Sequence, residues 1–390
     1  MLWTNEPVPE KLLDFTVGNG HVLDQTLLPY DIQGTRAHAN ALEDVGVLTE
    51  EENAQIQKTL DDLAEYVQKG TFSITQKQED SHTAIEEFLT GKLGDVGQKI
   101  QAGRSRNDQA LTMLRLYAKD QLQHVHKKIQ DLQGALLSKT KPDHPMPGYT
   151  HMQKAMAYST ALWLTSFHES LQDDAMVLES AYALNDQSPL GSAAGFGSSL
   201  PLNRHKEAQE LGFSKIQQNS LYCQNSRGKI ELFTLSALHQ VALTLNKLAC
   251  DILLFSTAEF GFLQKPPELC TGSSLMPHKK NPDVMELVRA KTASTSGAYT
   301  HVAAVSQNLP SGYHRDFQET KATLLEAFST TLSCLDMTTR WIQKMQFNPE
   351  KLQHAMTEDL YSVNRALDRV KAGTPFRQAY HQEKGEAPHV

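Results

Sequence analysis

The sequence predicts an all-α protein with a central bundle of long helices, and three observations lead to that fold class. Long stretches carry apolar residues at helical spacing, whereas alternating strand patterns are nearly absent. Several predicted helices run to roughly thirty residues, well beyond the globular mean of about 11–12. Some of these helices are also apolar on more than one face.

The stretch Lys229–Phe262 shows this last property most clearly. Leucines and other large apolar residues recur on several of its faces, so a helix here has to be buried. One subunit does not supply enough neighbouring helices to cover such surfaces. We therefore infer an oligomer whose core is a helical bundle contributed by several chains.

The N-terminal region predicts shorter elements. Residues 1–36 mix short helical and irregular segments with proline and glycine breaks, and a helical pair follows at Thr35–Gly46 and Leu48–Gly70. Thr49 and Glu52 stand three residues apart at the start of the second helix, which is the pattern of a capping box. The other predicted helices are Ser81–Leu93, a long stretch from about Asp108, Lys154–Asn185, 284–306 and 316–346.

Composition limits the function classes. The chain has 390 residues, a net charge of −8 and a pI near 6.1, which argue against a nucleic-acid or membrane-surface binder but leave room for a local cationic pocket. Its four cysteines are widely spaced and form no CxxC pair. With no signal peptide and no apolar run of membrane-spanning length, we expect a soluble, cytoplasmic protein with reduced thiols.

The stretch Gly272–Arg289, GSSLMPHKKNPDVMELVR, concentrates chemically useful groups. Two serine hydroxyls precede two lysines, and a helix start follows, with Asn281 as N-cap and Pro282 as first helical residue. Such a combination suits a site that binds an anion and moves a proton. The alternatives are a solvated basic loop before an ordinary helix, or a phosphate loop, which lacks the second glycine of GxxxxGK[ST].

Two further stretches carry functional residue types. GRSRNDQ packs Arg106 and Asn107 into a tight turn, where guanidinium groups suit carboxylates; the alternative is a surface basic turn capped by Asp108. GYTHMQ places Thr150 and His151 after the proline-rich segment 141–148, which cannot be helical. Histidine titrates near neutral pH and suits proton transfer, although most lone histidines only hydrogen-bond a helix end.

These motifs resemble those of one enzyme family. GSSLMPHKKNP is similar to the signature loop of the fumarase/aspartase superfamily, and GRSRNDQ and GYTHMQ resemble its argininosuccinate lyase branch. The segment Asn308–Lys321 resembles the LPSxYxxDxQxxK segment of that branch, and the resemblance extends from about residue 30 to 380. It implies reversible elimination of argininosuccinate to arginine and fumarate, in a three-part fold whose central bundle builds a homotetramer.

The resemblance also implies roles for individual residues. Ser273 is expected to be the base, with Lys279 as its stabilising cation, and His151, partnered by Glu286, is expected to serve the acid side. The residues expected to bind substrate are Arg106, Asn107, Thr150, Arg227, Asn281, Tyr313, Gln318 and Lys321. No cofactor or metal is expected, the ligand is a small molecule, and each site is expected to draw residues from three subunits.

The domains expected from this resemblance are a mainly helical N-terminal domain at 1–109, the bundle with the active site at 110–350, and a shortened C-terminal domain at 351–390. The chain departs from the family pattern at Gln101-Ala102, where His-Thr is common, and shows no counterpart of the N-terminal substrate-binding serine around Phe15–Gly20. A related fumarate-releasing lyase, such as adenylosuccinate lyase, and a catalytically silent structural homologue remain as alternatives.

Overall fold

The computed structural model describes residues 9–385, and its fold is all-α, as the sequence predicts. Seven helices precede or separate the long ones in the N-terminal two-thirds of the chain: α1 Glu10–Val17, α2 Gly20–Asp44, α3 Glu50–Gln68, α4 Ser81–Leu93, α5 Asp95–Gln98, α8 Arg204–Glu210 and α9 Ser220–Asn225. The five long helices are α6 Arg106–Ser138, α7 Thr160–Asn185, α10 Lys229–Phe255, α11 Asp283–Ser306 and α12 Thr320–Lys344. Three short helices close the described chain: α13 Pro349–Ala355, α14 Ser362–Lys371 and α15 Phe376–Lys384.

The described chain divides into two compact units. The first contains the described residues up to His126 together with Met176–Leu238 and Thr295–Ser329. The second contains Lys127–Ala175, His239–Ser294 and the residues from Thr330 onward. The division falls inside each of the five long helices. The domain boundaries near 110 and 350 stay predictions.

The first unit has an apolar core between α2, α3 and α4. Leu28, Ile56, Leu63 and Ile85 are among its fully or almost fully buried members. The capping box at the start of α3 is confirmed, because Thr49 Oγ1 accepts the amide N–H of residue 52 at 3.2 Å and the Glu52 carboxylate accepts that of residue 49 at 2.9 Å.

The helix expected from Lys154 was wrong at its start. A two-stranded antiparallel hairpin, β1 Pro145–Thr150 and β2 Gln153–Ser159, occupies this region of the second unit, and α7 begins only at Thr160. The proline-rich segment is non-helical, as expected, but it pairs as a strand. Proline is tolerated in a hairpin of two edge strands, because one side of each strand needs no ladder hydrogen bond. The other strand pairs have two residues each: β3 Gln187–Ser188 with β4 Lys215–Ile216, and β5 Leu263–Gln264 with β6 Gln346–Phe347.

The breaks expected at Gly18 and Gly20 are confirmed, because α1 ends at Val17 and α2 begins at Gly20, while the first eight residues of that prediction lie outside the described part. The helix expected from Thr35 was wrong at its start. Helix α2 runs without interruption from Gly20 through Pro29 to Asp44. Burial of one face, including Leu27, Leu28 and Ile32, offsets the hydrogen bond lost at the proline. Toward the C-terminus, α10 ends seven residues before Phe262, and a 3₁₀ turn at Arg315–Glu319 replaces the first turn expected for α12.

Among residues 9–385 one segment, Ser220–Phe255, is long and apolar enough to cross a membrane by length and composition alone, whereas no such run was expected from the sequence. Half of its most apolar window is buried within the protein. Burial of this kind is what a core helix requires, and α10 includes the fully buried Leu235, Leu245 and Leu248.

Candidate active site

The first unit contains a cavity of about 360 Å³. Six of the residues that the sequence assigned to substrate binding line it: Arg106, Asn107, Arg227, Tyr313, Gln318 and Lys321. These residues are separated by up to about two hundred positions in sequence, so the fold has brought them together. A volume of this size fits a small molecule.

The start of α6 holds Arg106 in the cavity wall. Its Nη1 donates to Asp80 Oδ2 at 2.9 Å, and its Nη2 donates to Thr83 Oγ1 at 2.7 Å. Asp80 is also the N-cap of α4, because its Oδ1 accepts the Thr83 amide N–H at 2.8 Å. The N-terminus of α4 therefore fixes the orientation of this guanidinium group. Glu79, which lies 3.6 Å from Arg106 Nη1, completes this acidic corner.

Arg227 enters the cavity from the turn between α9 and α10. Its Nη2 donates to the backbone oxygen of Asn107 at 2.7 Å, and the Tyr313 ring centroid lies 5.0 Å from its guanidinium carbon. Burial lowers the pKa of Arg227 without removing its charge. Gly228 follows with φ +76°, and a β-carbon there would lie 2.1 Å from Ser306 Oγ. Glycine is therefore required for the turn that presents Arg227.

The other end of the cavity joins the turn before α12 to the N-terminal helices. Lys321 donates to the fully buried carboxylate of Asp24. Gln318 Nε2 donates to the backbone oxygen of Thr16 at 2.9 Å, and Arg315 donates to the same oxygen at 3.0 Å. The region around Phe15–Gly20, where no family serine was found, thus lines the cavity with Thr16.

A buried ion pair includes one residue of the cavity wall, His82. His82 Nδ1 is 2.6 Å from Asp31 Oδ2, and both side chains are almost completely buried. Burial alone would lower the pKa of His82, but the charge and hydrogen bond of Asp31 outweigh it, so that this pKa is raised. For Asp31, the charge and hydrogen bond of His82 likewise outweigh burial and lower its pKa. The imidazolium–carboxylate form of the pair is therefore favoured.

The second unit contains the signature loop. Thr271 and Asn281 exchange two backbone hydrogen bonds, of 2.8 and 3.1 Å, which close the loop at its base. Within it, Ser273 Oγ accepts the amide N–H groups of Met276 at 3.0 Å and Leu275 at 3.3 Å. Two donors thus point at the hydroxyl that the sequence assigned as base.

The expected cap of α11 was wrong by one residue. The backbone oxygen of Pro282 accepts the amide N–H groups of residues 285 and 286, and the helix begins at Asp283. Asn281 cannot act as N-cap because it belongs to the bridge with Thr271, and its Nδ2 contacts the Gly272 oxygen at 3.4 Å. The Asn281 side chain therefore faces the signature loop and does not cap α11.

His151 occupies the tip of the β1–β2 hairpin. His151 and Met152 form the two-residue turn with φ of +52° and +59°, a conformation that favours glycine and asparagine. A residue with a larger side chain held in this backbone conformation costs of order 1–3 kcal/mol, and such residues cluster at functional sites. The hairpin presents Thr150 and His151 to solvent on a single chain.

The acid and base groups are not assembled within one chain. Lys279 and Glu286 are exposed, and across the described second unit no hydrogen bond or ion pair joins His151 to Glu286 or Lys279 to Ser273. The predicted pairing of His151 with Glu286 and the predicted roles of these residues stay predictions.

Comparison with known proteins places these motifs in a family. A profile of the family described as Lyase matches residues 17–297. Argininosuccinate lyase of Thermotoga neapolitana is 41% identical over 96% of this chain and 94% of the relative. Argininosuccinate lyase of Parabacteroides distasonis is 42% identical over 98% of this chain and 86% of the relative. This chain belongs to the argininosuccinate lyase family. It is accordingly a carbon–nitrogen lyase.

Solved structures support the family fold. The chain is similar to a crystal structure of EDDS lyase in complex with formate, with a TM-score of 0.81, 24% identity and coverage of 98% of this chain and 78% of that one. It is also similar to recombinant class II fumarase from Schistosoma mansoni, with a TM-score of 0.76, 17% identity and coverage of 96% and 92%. At these identities the likeness concerns the fold.

In the family motif GRSRNDQ, the aspartate Asp108 has a structural role. Asp108 Oδ2 accepts the amide N–H groups of Gly191 at 3.0 Å and Ala193 at 2.8 Å, and its Oδ1 accepts that of Ser105 at 3.0 Å. Burial raises the pKa of Asp108 to about 6 despite these donors. Asp108 therefore ties the start of α6 to the glycine-rich loop after α7. Gln101 and Ala102, which depart from the family pattern, do not line the cavity.

Several cavity residues of this lyase were not expected from the sequence. Thr16, Glu79, Asp80 and His82 line the cavity, and Asp24 holds its lysine. The run QEDSH at 78–82 was a usable signal, because two acids stand directly before a predicted helix and a histidine is its second residue. Within residues 9–385 no group of three side chains has the arrangement of a metal site.

Proposed function

We propose that the chain catalyses the reversible elimination of argininosuccinate to arginine and fumarate, with the cavity binding substrate and Ser273 removing the proton. The observation that best supports this is the meeting of six motif residues in one cavity of the right size. Its cationic side chains, Arg106, Arg227 and Lys321, suit a substrate that carries several carboxylates.

The difficult step is removal of a proton from the carbon next to a carboxylate. Negative charge develops on that carboxylate as the proton leaves, and fixed donors stabilise it by about 3–4 kcal/mol each. A serine oxygen becomes a base only where its anion is stabilised. The N–H groups of Leu275 and Met276 point at Ser273 Oγ and supply part of that stabilisation, and we assign the remaining positive charge to Lys279.

The second step breaks the carbon–nitrogen bond, and the departing guanidino nitrogen takes up a proton. We assign this proton to His151, directly or through water, with Glu286 of the assembled site favouring the imidazolium. Thr150, beside His151 on the hairpin, and Asn281, at the base of the signature loop, would bind carboxylate oxygens. The reaction so drawn requires no cofactor or metal.

We further propose a cytoplasmic homotetramer in which each site combines residues of three subunits. Two observations support it. Large apolar side chains on the long helices are exposed on a single chain, among them Leu162, Met176, Leu243 and Leu287, each at least half exposed. In addition, Thr150, His151, Lys279 and Glu286 all face solvent. If several chains pack through their long helices, the exposed apolar side chains would be covered. The same packing would bring Thr150, His151, Lys279 and Glu286 to the cavities of neighbouring subunits.

An absorbance assay for fumarate tests the reaction. Purified protein is incubated with argininosuccinate and, separately, with adenylosuccinate. The proposal expects fumarate from argininosuccinate only. Fumarate from adenylosuccinate alone would transfer the function to the related lyase, and no fumarate from either would favour a silent homologue.

A further inference from the structure

One carboxylate oxygen of Glu79 has no hydrogen-bond partner in the described chain. Glu79 lines the substrate cavity and is about nine-tenths buried, and this oxygen is its Oε1. Its backbone has φ +67° at the end of the 3₁₀ turn Gln76–Gln78, a region that residues other than glycine rarely adopt. A buried carboxylate oxygen is expected to be paired, so one without a partner calls for an explanation.

The cations around Glu79 are already engaged with other acceptors. Arg106 donates to Asp80 and Thr83, and Arg315, the other cation whose charge acts on Glu79, donates to the Thr16 backbone oxygen. The 3.6 Å between Glu79 Oε2 and Arg106 Nη1 is within ion-pair range but longer than a hydrogen bond, and it leaves Oε1 free. Burial, followed by the charge of Asp80, raises the pKa of Glu79, as expected for an acid without full compensation.

We propose that Glu79 is a specificity-determining residue whose free carboxylate oxygen accepts an N–H from the cationic nitrogen of the arginine half of the substrate. The inference rests on the proposed function, since argininosuccinate carries both carboxylates and cationic nitrogen. The cavity then contains a partner for each sign of charge: arginine and lysine side chains donate to the carboxylates, and Glu79 accepts from the cation. Substrates of the same elimination that lack a cationic arm would leave this oxygen unpaired.

Two groups of the arginine half have the required chemistry, the guanidinium and the α-ammonium. Three inhibitors separate them: arginine carries both, citrulline keeps only the α-ammonium, and the desamino analogue of arginine keeps only the guanidinium. Fumarate carries neither and reports on the carboxylate-binding part of the cavity.

The test compares wild type with Glu79→Gln and with the control Glu87→Gln, which removes the same charge from an exposed position on α4 outside the cavity. Binding of each compound is measured by titration calorimetry and as inhibition of turnover. We expect Glu79→Gln to weaken arginine binding by about 10- to 100-fold, typical for loss of a charged hydrogen bond, while fumarate binding stays unchanged. The wild-type preference for arginine over citrulline or over the desamino analogue, depending on the group bound, should disappear.

Equal weakening of arginine and fumarate would show that Glu79 only supports Arg106, and unchanged arginine binding would exclude the contact; either result overturns the proposal. Circular dichroism checks folding of the variant. If Glu79→Gln does not fold, Glu79→Asp is the substitute, because its shorter side chain keeps the charge but moves it away from the ligand. This variant should show the same selective loss of arginine binding. Calorimetry needs no turnover, so absence of fumarate formation by wild type would refute the proposed reaction without deciding the role of Glu79.

Discussion

At the scale of single residues, Ser273 carries the chemistry that we propose. Its oxygen accepts two backbone N–H groups, and these donors would stabilise the anion that a serine base requires. This arrangement depends on the loop backbone, which the bridge between Thr271 and Asn281 closes. The loop backbone therefore supplies two of the donors that would allow the Ser273 hydroxyl to act as a base.

Replacing Ser273 by alanine should lower kcat for argininosuccinate by about 10²–10⁴-fold, the usual contribution of a general base, with a much smaller change in KM. Steady-state fumarate formation measures both constants. Ser294→Ala, on the exposed surface of α11, is the matched control and should keep wild-type kinetics. An undiminished kcat in Ser273→Ala would refute the assignment of the base.

The sequence indicated the cavity residues that stand in recognisable motifs, such as Arg106, Arg227 and Lys321. It did not indicate Asp24 or Glu79, because both matter through contacts with residues distant along the chain. The role of Asp24 becomes visible only from its ion pair with Lys321, almost three hundred residues away. Motifs reveal chemistry that is local in sequence, whereas pairing partners emerge from the fold.

At the scale of elements, the turn between α9 and α10 positions Arg227 and should be intolerant of larger residues. Gly228→Ala combines a positive φ with a contact of 2.1 Å to Ser306 Oγ, so we expect a loss of about 1–3 kcal/mol in the free energy of unfolding, together with a raised KM. Urea denaturation and kinetics measure the two effects. Gly91→Ala in α4, where a β-carbon would meet open space, should be neutral or stabilising. Equal behaviour of the two variants would contradict this account of the turn.

The packing of α8 against α2 buries a histidine and a glutamate, and this burial favours the neutral form of each. His38 Nε2 contacts the Ala102 oxygen at 2.9 Å, and His38 Nδ1 lies 3.4 Å from Glu207 Oε1. Burial lowers the pKa of His38 to about 3 and raises that of Glu207 to about 8. The geometry meets the distance for an ion pair, but these shifts favour a protonated carboxyl beside a neutral ring.

This neutral pair makes stability depend on pH in a defined direction. Between pH 4.5 and about 8 the folded protein keeps a proton on Glu207 that the unfolded chain releases. The free energy of unfolding therefore falls as pH rises through this window, by at most roughly 1.4 kcal/mol per pH unit. Glu207→Gln should remove this contribution, so its stability relative to wild type should increase from pH 5 to pH 8.

Urea denaturation at several pH values measures the difference. His38, which lies 3.4 Å from Glu207, contributes with the opposite sign below about pH 6.5, so the trend above pH 6.5 is decisive. Glu51→Gln, which removes the same charge from an exposed position on α3, is the control and should show no such trend. A constant difference between Glu207→Gln and wild type across the window would mean that Glu207 is ionised in the folded protein.

Elements differed in how far the sequence predicted them. The long helices were predicted because apolar periodicity persists over many turns, and the α3 cap because its residues are adjacent in sequence. The β1–β2 hairpin was missed because its stability comes from pairing across a turn with unusual backbone angles at His151 and Met152. The continuity of α2 through Pro29 was missed because burial of its neighbours outweighs local propensity.

At the scale of the whole molecule, the account depends on assembly. The cavity contains side chains that we propose to bind substrate, whereas Lys279 and His151 are exposed on one chain and Ser273 is half-buried. Helices with exposed leucines and methionine need partners, as wide apolar surfaces generally do. Oligomerisation would then be a condition of catalysis, and an isolated subunit should be inactive.

The most direct test of this central claim is complementation between two inactive variants. Arg106→Gln removes a cavity residue and Ser273→Ala removes the base, and the two proteins are mixed under conditions that exchange subunits. If each site takes these residues from different subunits, random mixing restores about one quarter of the sites, and fumarate formation should return to that fraction. If mixed tetramers, verified by native mass spectrometry, remained inactive, Arg106 and Ser273 of one site would have to come from the same chain, which contradicts the account.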